Sequence, residues 1–299
     1  MARAILGAGA GGLTVDDLQE RLVRLGLSSL ADLGFALAGG YALEAHGLVD
    51  RLSEDVDLFT DRWDPQDFAR AVETLCAAYT RAGLEVTVTR QAETFARLQV
   101  TDPGSRKEGS VDLAADVRNH PTIRLSGRPV LAEDDAVANK TAAVFSRGEV
   151  RDYLDLTGIL ASGRYSREEL MTLAADADAG FDRAIFAQAL AGVDRFPDEE
   201  FVRYGIDAGQ IATTRAAMRA WSQDLQQPTS ASDAADPASA DVESGQTQHG
   251  DPATRVRQGV PGTHTPNSDR RPRTRRPPQG QHIQPEPPSD TPRPECPTL

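Results

Sequence analysis

The feature that most limits the fold of this chain is a change in composition near Gln223. From there to the end of the 299-residue chain lie 14 of its 19 prolines, and Ser, Thr, Gln, Asp and Arg supply most of the other positions. Aliphatic side chains are few in this segment, and Phe, Trp and Tyr are absent from it. Such a segment buries too little apolar surface to offset the entropy lost on ordering. The composition therefore predicts a disordered Pro-rich tail over residues 223–299.

The N-terminus contains a glycine-rich stretch, GAGAGG at residues 7–12, that formally fits the G-x-G-x-x-G dinucleotide fingerprint. That fingerprint requires a strand before it and a helix that opens within it. The preceding ARAIL is a short, weak strand, and the first helix, from about Val15 to Arg24, has its own N-cap signal in Thr14. We therefore interpret residues 1–13 as a flexible leader and not as a cofactor site.

Apolar periodicity divides the remaining chain into two halves. Alternating patterns predict strands at DVDLFT, LEVTVTRQ, TFARLQVT and SVDLAAD, with a short pair around TIRL and RPVL. FALAG is a short apolar run that ends in glycine. Helical periodicity separates some of these strands and continues without interruption after about Ala132. The prediction is an α+β fold: residues 14–132 form a domain with a mixed sheet and flanking helices, and residues 133–222 form an all-helical region.

Charge and cysteine content exclude several classes of function. The net charge of −13 disfavours non-specific binding to nucleic acid or to an anionic membrane, since such binding relies on Lys and Arg. No apolar segment approaches the roughly 18 residues of a transmembrane helix. The two cysteines, Cys76 and Cys296, suggest neither a disulfide framework nor a zinc site. We expect a cytoplasmic protein with no membrane partner.

One short stretch, RLSEDVDLF at residues 51–59, points to chemistry. Because a strand alternates its faces, Asp55 and Asp57 point one way and Val56 and Leu58 the other. Two carboxylates on one face repel each other unless a cation lies between them. Hard divalent ions such as Mg²⁺ prefer oxygen ligands and phosphate partners, so the pattern predicts a metal site that positions a triphosphate.

Residues upstream of the acid pair extend this site. Gly39 and Gly40 open a short predicted helix, whose free backbone N–H groups favour phosphate. Twelve residues separate Gly40 from Ser53, which is enough for a helix and a turn that lead into the strand. Ser53 and Arg51 directly precede the acids and have side chains that can contact phosphate oxygens.

Two motifs together resemble a known family. The pattern GG-x12-S-E-D-V-D-L-F resembles the first motif of the DNA polymerase β-type nucleotidyltransferase superfamily, and GGYALEAHGLVDRLSEDVDLFT is similar to the AbiEii/AbiGii toxins of abortive-infection and toxin–antitoxin systems. The stretch NKTAAVFSRGEVRDYLDLTGIL, residues 139–160, resembles a second motif, in which a Lys precedes an Arg-rich turn and an Arg-Asp pair. Here these residues are Lys140, Arg147, Arg151 and Asp152. The resemblance covers about residues 35–165.

The resemblance implies roles for these residues. Gly39 and Gly40 would cradle the triphosphate, with Ser53 and Arg51 in contact with it. Asp55 and Asp57 would bind Mg²⁺ and act in catalysis. A third metal-binding carboxylate on a neighbouring strand would be Asp112, with Asp116 as second choice. Lys140 would meet the nucleotide phosphates, and Asp152 would belong to a later acidic motif.

Structural alternatives exist for the residues of the second motif. Lys140 is also compatible with a solvated helix face. Asp152 lies near a helix N-terminus, a position that favours acids on structural grounds alone. Arg151 and Asp155 are spaced i, i+4 and form, in this interpretation, a pair on the helix surface.

The resemblance also implies a function. The chain would be a Mg²⁺-dependent nucleotidyltransferase toxin with a cognate antitoxin, transferring a nucleoside monophosphate from an NTP to an acceptor hydroxyl, for some members the 3′ end of tRNA. A local basic patch for tRNA would come from Arg118, Arg124, Arg128, Arg147 and Arg151. The alternatives are nucleotidylation of a small molecule or a protein, and a non-catalytic binding protein that retains the fold.

Overall fold

The structure is a computed structural model that describes residues 17–51, 53 and 55–227, all within one compact unit. The predicted leader, the Thr14 cap and nearly all of the predicted tail lie outside these residues. The helices of the described part are α1 (Asp17–Ser29), α2 (Gly39–Ala45), α3 (Pro65–Arg81), α4 (Glu133–Ser146), α5 (Val150–Ala161), α6 (Arg167–Ala177), α7 (Arg183–Ala191), α8 (Asp198–Val202) and α9 (Ala208–Gln226).

A single mixed sheet organises the first half of the described chain. Its strands are β1 (Ala36–Leu37), β2 (Asp55–Thr60), β3 (Glu85–Gln91), β4 (Phe95–Asp102), β5 (Lys107–Ala115), β6 (Ile123–Leu125) and β7 (Arg128–Val130). Their order across the sheet is β3-β4-β5-β2-β1-β7-β6. The pairs β2/β5 and β1/β7 are parallel and the others antiparallel. The α+β fold class predicted from the sequence is confirmed.

Strand and helix limits differ from the predicted ones where tertiary contacts extend an element. Strand β5 starts at Lys107, three residues before the predicted SVDLAAD, because its antiparallel pairing with β4 continues to the Asp102–Lys107 pair. Helix α1 runs on to Ser29 instead of ending at Arg24. Gly26 permits this close packing, since a Cβ there would lie 2.7 Å from Leu58 Cδ1 of the sheet.

One face of the sheet packs on α1 and α3. Val56 and Leu58 of β2 are fully buried on this side, as the alternation predicts. The hydroxyl of Tyr79 in α3 donates to the Leu22 carbonyl oxygen of α1 at 3.0 Å, which satisfies a polar group inside the apolar layer. Cys76 of α3 is buried in the same layer. The opposite face of β2 is therefore left for Asp55 and Asp57.

The second half is helical and packs on α2 of the first half through α4. Its aromatic centre includes Phe186 of α7 and Trp221 of α9, whose rings meet edge to face at 5.2 Å. Helix α9 continues to Gln226, past the expected domain end at Ser222, and the domain boundaries remain predictions. No helix among the described residues has both the length and the apolar character needed to cross a membrane.

Candidate active site

Three aspartates share one face at the centre of the sheet. Asp57 of β2 and Asp112 of β5 are direct partners in the parallel pair, and Asp55 lies opposite Ser110. Neighbouring strands lie about 4.8 Å apart, so side chains at partner positions are adjacent on the same face. The structure therefore places the three carboxylates predicted to bind metal on one face of the sheet. Asp116, the second choice, follows Asp112 by four residues, which is roughly 13 Å along an extended chain.

Arginines accompany two of these carboxylates. Arg97 of β4 is the cross-strand partner of Asp112 and donates to both of its oxygens, at 2.7 Å from Nε and 2.6 Å from Nη2. Arg151 of α5 donates from Nη1 to Asp55 Oδ2 and from Nε to Glu149 Oε2, the latter at 2.9 Å. Arg97 was not among the site residues predicted from the sequence. These pairs offset the like-charge repulsion that the sequence pattern implied.

Asp57 has a different environment. None of the ion pairs among the described residues involves it. Burial, followed by the negative charge of nearby Asp112, raises the pKa of Asp57 to about 6, and the charges of Lys140 and Arg151 oppose this shift. Asp57 is thus the carboxylate of this face whose charge the protein compensates least.

The two predicted phosphate-binding glycines close on the acid strand. Gly39 has φ +53°, and a Cβ there would lie 1.9 Å from Asp57 Oδ2. A Cβ on Gly40 would lie 2.8 Å from Ser53 Oγ. Both positions therefore require glycine, one for its backbone conformation and both for close approach. The start of α2 is held directly against Asp57 and Ser53.

Ser53 shapes the turn into β2. Its side chain is buried and donates to the Asp55 carbonyl oxygen at 2.9 Å, while its own carbonyl accepts from Gln19 Nε2 at 3.0 Å. The neighbouring Leu52 and Glu54 lie outside the described residues. The contacts of Ser53 place its hydroxyl beside Gly40, at the position where the resemblance implies a phosphate.

Lys140 of α4 is buried between two acids of α5. Its Nζ lies 3.0 Å from Asp152 Oδ1 and 2.9 Å from Asp155 Oδ2, which rules out the solvated helix face considered as an alternative. Burial alone would lower the pKa of Lys140, but the charges of Asp155 and Asp152 outweigh it, and the pKa is raised. The ammonium group is therefore held charged inside the protein.

Asp152 caps the N-terminus of α5 and also accepts a hydrogen bond from Lys140. It accepts two bonds from Arg147, at 2.9 and 3.1 Å, and one from the backbone N–H of Glu149 at 3.1 Å, as part of a capping box. Burial alone would raise its pKa, but Lys140 and Arg147 hold the pKa of Asp152 well below its usual range. Its structural role at the helix N-terminus and its contact with Lys140 coexist.

Asp155 lies in the site, whereas its i, i+4 spacing predicted a surface pair with Arg151. That interpretation is wrong, since Asp155 is fully buried and Arg151 pairs with Asp55 and Glu149. Asp155 accepts two bonds from Arg51, at 2.6 and 2.7 Å, as well as the contact from Lys140. The ion pair forms between loop and helix because α5 lies behind the turn that carries Arg51. The role of Asp155 follows from its burial one turn after Asp152, and the sequence alone does not show that burial.

The arginines proposed as a basic patch are engaged within the fold. Four of them pair with acids: Arg118 with Asp61, Arg128 with Glu20, Arg147 with Asp152 and Arg151 with Asp55. Arg124 lies on β6 and is exposed. Arg147 and Arg151 share a further partner in Glu149, and the acids paired with Arg118 and Arg128 belong to other parts of the fold.

The carboxylates of this face could hold a divalent ion only together with other ligands. Among residues 17–51, 53 and 55–227, no three His, Cys, Asp or Glu side chains converge closely enough to hold a metal by themselves. Mg²⁺ is commonly bound through one or two carboxylates plus substrate phosphates and not by an all-protein cage. Asp55 and Asp57 could supply hard oxygen ligands, and Gly39 and Gly40 bring the backbone at the start of α2 against Asp57 and Ser53. The donor set therefore fits an ion that a nucleotide completes.

Comparison with known proteins identifies the class and then the family. The family model of the nucleotidyl transferase AbiEii toxins of type IV toxin–antitoxin systems matches residues 22–242, which is most of the chain. The protein is a nucleotidyltransferase. It belongs to the AbiEii toxin family, and the resemblance inferred from the two motifs is confirmed. Enzymes of this kind generally use an NTP and a divalent metal ion.

Solved structures with a similar arrangement include two bacterial proteins. JHP933 from Helicobacter pylori is 19% identical, with 71% of this chain and 93% of that chain covered and a TM-score of 0.44. MenT4, a nucleotidyltransferase toxin from Mycobacterium tuberculosis H37Rv, is 20% identical, with 70% and 84% covered and a TM-score of 0.45. No sequence among the curated proteins matches the chain.

Proposed function

We propose that this chain is the toxin of a type IV toxin–antitoxin pair and transfers a nucleoside monophosphate from an NTP, with Mg²⁺, to an acceptor hydroxyl. The acceptor oxygen forms a bond to the α-phosphorus, the bond from that phosphorus to the β-phosphate oxygen breaks, and pyrophosphate leaves. The hydroxyl proton passes to a carboxylate of the β2–β5 face. A cognate antitoxin and the NTP are the partners that family membership implies.

The observation that carries this proposal is the register of β2 and β5. It sets Asp57 beside Asp112, with Asp55 on the same face, while Gly39 closes on Asp57 from the start of α2. Three acids on one face do not stabilise an apolar core. Their position beside Gly39, where a side chain would overlap Asp57, fits the binding of a charged ligand. Mg²⁺, when bound, would neutralise phosphate charge and orient the α-phosphorus for attack.

The basic residues of the site orient the phosphates. Lys140 has three N–H donors, of which two are occupied by Asp152 and Asp155. Its positive charge acts on Asp57, where it opposes the rise in pKa that burial causes, so the ammonium group contributes to the electrostatics of the carboxylate face. Arg51, held by Asp155, has its Nη2 3.7 Å from the position of a Cβ on Gly40. Preorganised charges of this kind stabilise the transition state without reorganising.

The proposed acceptor is the 3′ end of tRNA in the cytoplasm, in keeping with a toxin that acts on a core cellular RNA. The net charge of −13 and the internal pairing of four arginines disfavour broad RNA binding, so recognition would be confined to the acceptor end. A small molecule or a protein as acceptor gives a different product in the test that follows.

The test combines transfer in vitro with growth. The full chain is incubated with each α-labelled NTP, Mg²⁺ and total tRNA, and label in tRNA, in protein or in neither is measured by gel. Expression of the full chain in bacteria should arrest growth. Lys140→Ala should relieve the arrest, and the matched variant Lys107→Ala, at an exposed position of β5, should not. Arrest that persists in Lys140→Ala at equal expression would contradict a catalytic cause.

A further inference from the structure

Arg151 has an unusual position within the site. It lies in the first turn of α5 and bridges two acids, donating from Nη1 to Asp55 and from Nε to Glu149. Its side chain is 17% exposed and that of Asp55 18%, so the contact is largely shielded from water. An arginine thus covers one oxygen of a carboxylate that the site offers to a metal ion.

We propose that Arg151 is a further nucleotide-binding residue, which neutralises Asp55 in the metal-free protein and contacts the triphosphate once a divalent cation has taken its place on Asp55. This inference rests on the proposed function. Arg151 would be a third basic residue for the triphosphate, after Lys140 and Arg51. Its release by the metal ion would couple metal binding to nucleotide binding.

Competition between Arg151 and a cation at Asp55 follows from charge and geometry. Asp55 Oδ2 accepts the Arg151 N–H, and the same oxygen lone pairs are those that a metal ion requires. A guanidinium and a divalent ion also repel each other at contact distance, strongly so where water is partly excluded. Binding of the ion at Asp55 therefore requires Arg151 to release that oxygen.

The released guanidinium has a short path to phosphate. A phosphate bound to an ion on Asp55 would be a close neighbour of the carboxylate oxygen to which Arg151 now donates. The 2.9 Å contact of Arg151 Nε with Glu149 keeps the guanidinium at this place, while Nη1 becomes free to donate. Arginine suits this role because its planar fork matches phosphate oxygens.

The neighbouring arginines are held differently. Within the described site, three of them give two nitrogens to one carboxylate: Arg97 to Asp112, Arg51 to Asp155 and Arg147 to Asp152. Arg151 gives only one nitrogen to each of two acids. Bidentate pairs are the more strongly fixed arrangement, and Arg151 is the arginine of these four that is not held by one.

The test measures metal and nucleotide binding separately. Mn²⁺ is titrated into the full chain without nucleotide, with free Mn²⁺ followed by electron paramagnetic resonance. Arg151→Ala should bind Mn²⁺ about tenfold more tightly than the parent chain, because the competing cation is gone. With Mn²⁺ saturating, affinity for α,β-methylene NTPs should instead fall at least about tenfold, through loss of a charge-assisted contact. Arg151→Lys should show smaller shifts in the same two directions.

The opposite signs separate this role from a structural one. Loss of folding weakens both equilibria, whereas Arg183→Ala, which removes an exposed pair with Glu168, should change neither. Unchanged or weaker Mn²⁺ binding in both Arg151 variants would overturn the inference, as would unchanged affinity for the analogues. A parent chain that binds neither Mn²⁺ nor any analogue would contradict the proposed function itself. A parent chain that binds and transfers, with unaltered Arg151 variants, would contradict only this inference.

Discussion

Arg51 and Asp155 form a buried bidentate ion pair between positions 104 residues apart, with N–O distances of 2.6 and 2.7 Å. Through it, the loop that precedes the acid strand is fastened to α5, which also holds Lys140. Asp155 is fully buried, so the pair is shielded from the solvent that weakens most surface ion pairs.

Asp155→Asn should therefore lower the free energy of unfolding by about 3–5 kcal/mol, since it leaves two cations facing a neutral amide inside the protein. Urea denaturation measures this change. The matched variant Glu168→Gln breaks an exposed pair with Arg183 and should cost less than about 1 kcal/mol. Equal effects of the two substitutions would show that burial of the network contributes nothing.

Gly39→Ala should abolish transfer, because the added Cβ would overlap the Asp57 carboxylate and the residue has a positive φ. Gly83→Ala is the control, with φ +80° but no atom within 4 Å of the added Cβ. It shares the backbone strain, about 1 kcal/mol, without the overlap. Steady-state transfer assays and thermal melts of both variants separate the two effects, and equal activity of the two would contradict the close approach seen at Gly39.

Asp116 should make the protein less stable as pH rises. Burial, with a contribution from Asp135, raises the pKa of Asp116 to about 6 from an ordinary 3.8, against the opposing Val117 N–H bond. The folded state then binds the proton more tightly, so its stabilisation is present below about pH 4 and lost as pH rises through 6.

Asp116→Asn removes this titration and retains an oxygen for the Val117 N–H. Relative to the parent chain, the free energy of unfolding of the variant should rise by roughly 2–3 kcal/mol between pH 4 and pH 7.5. Urea denaturation at both pH values measures the difference, in which the similar contribution of Asp57 cancels. A difference that is independent of pH, or that falls with rising pH, would refute the assignment.

The end of α9 sets where the chain can be shortened. Leu225 packs on the core and Asp224 pairs with Arg167, so truncation after Ser222 removes contacts of the last helical turn. It should cost about 1–2 kcal/mol relative to truncation after Gln227. The longer product should match the full chain in thermal melts, because residues 228–299 have few apolar side chains to bury. A large loss on removing only residues 228–299 would contradict this.

Local patterns were sufficient to predict much of the fold. The alternation in DVDLFT predicts both the limits of β2 and the shared face of Asp55 and Asp57. The family resemblance pointed to Asp112 as a third carboxylate on a neighbouring strand, and the register of β2 and β5 sets it on the same face as Asp57. Strand period and residue type are properties of the sequence itself.

The ion pairs were beyond local patterns. Arg97 looks like an ordinary strand arginine until the β4–β5 register sets it opposite Asp112. Asp155 and Arg51 are brought together only when α5 packs behind the turn before β2. Such pairs form only when a particular helix packs against a particular strand end. Two residues 104 positions apart in the sequence give no local pattern that predicts this packing.

The most direct test of the account is transfer of labelled nucleotide by variants of β2. Parent chain, Asp57→Asn and Asp61→Asn are incubated with the α-labelled NTP that the parent uses and its acceptor, with and without Mg²⁺. Asp61 is the control, since it follows β2 and is about half exposed. The account predicts Mg²⁺-dependent transfer by the parent and by Asp61→Asn, and a loss of at least about a thousandfold in Asp57→Asn. Transfer by Asp57→Asn at the parental rate would contradict it.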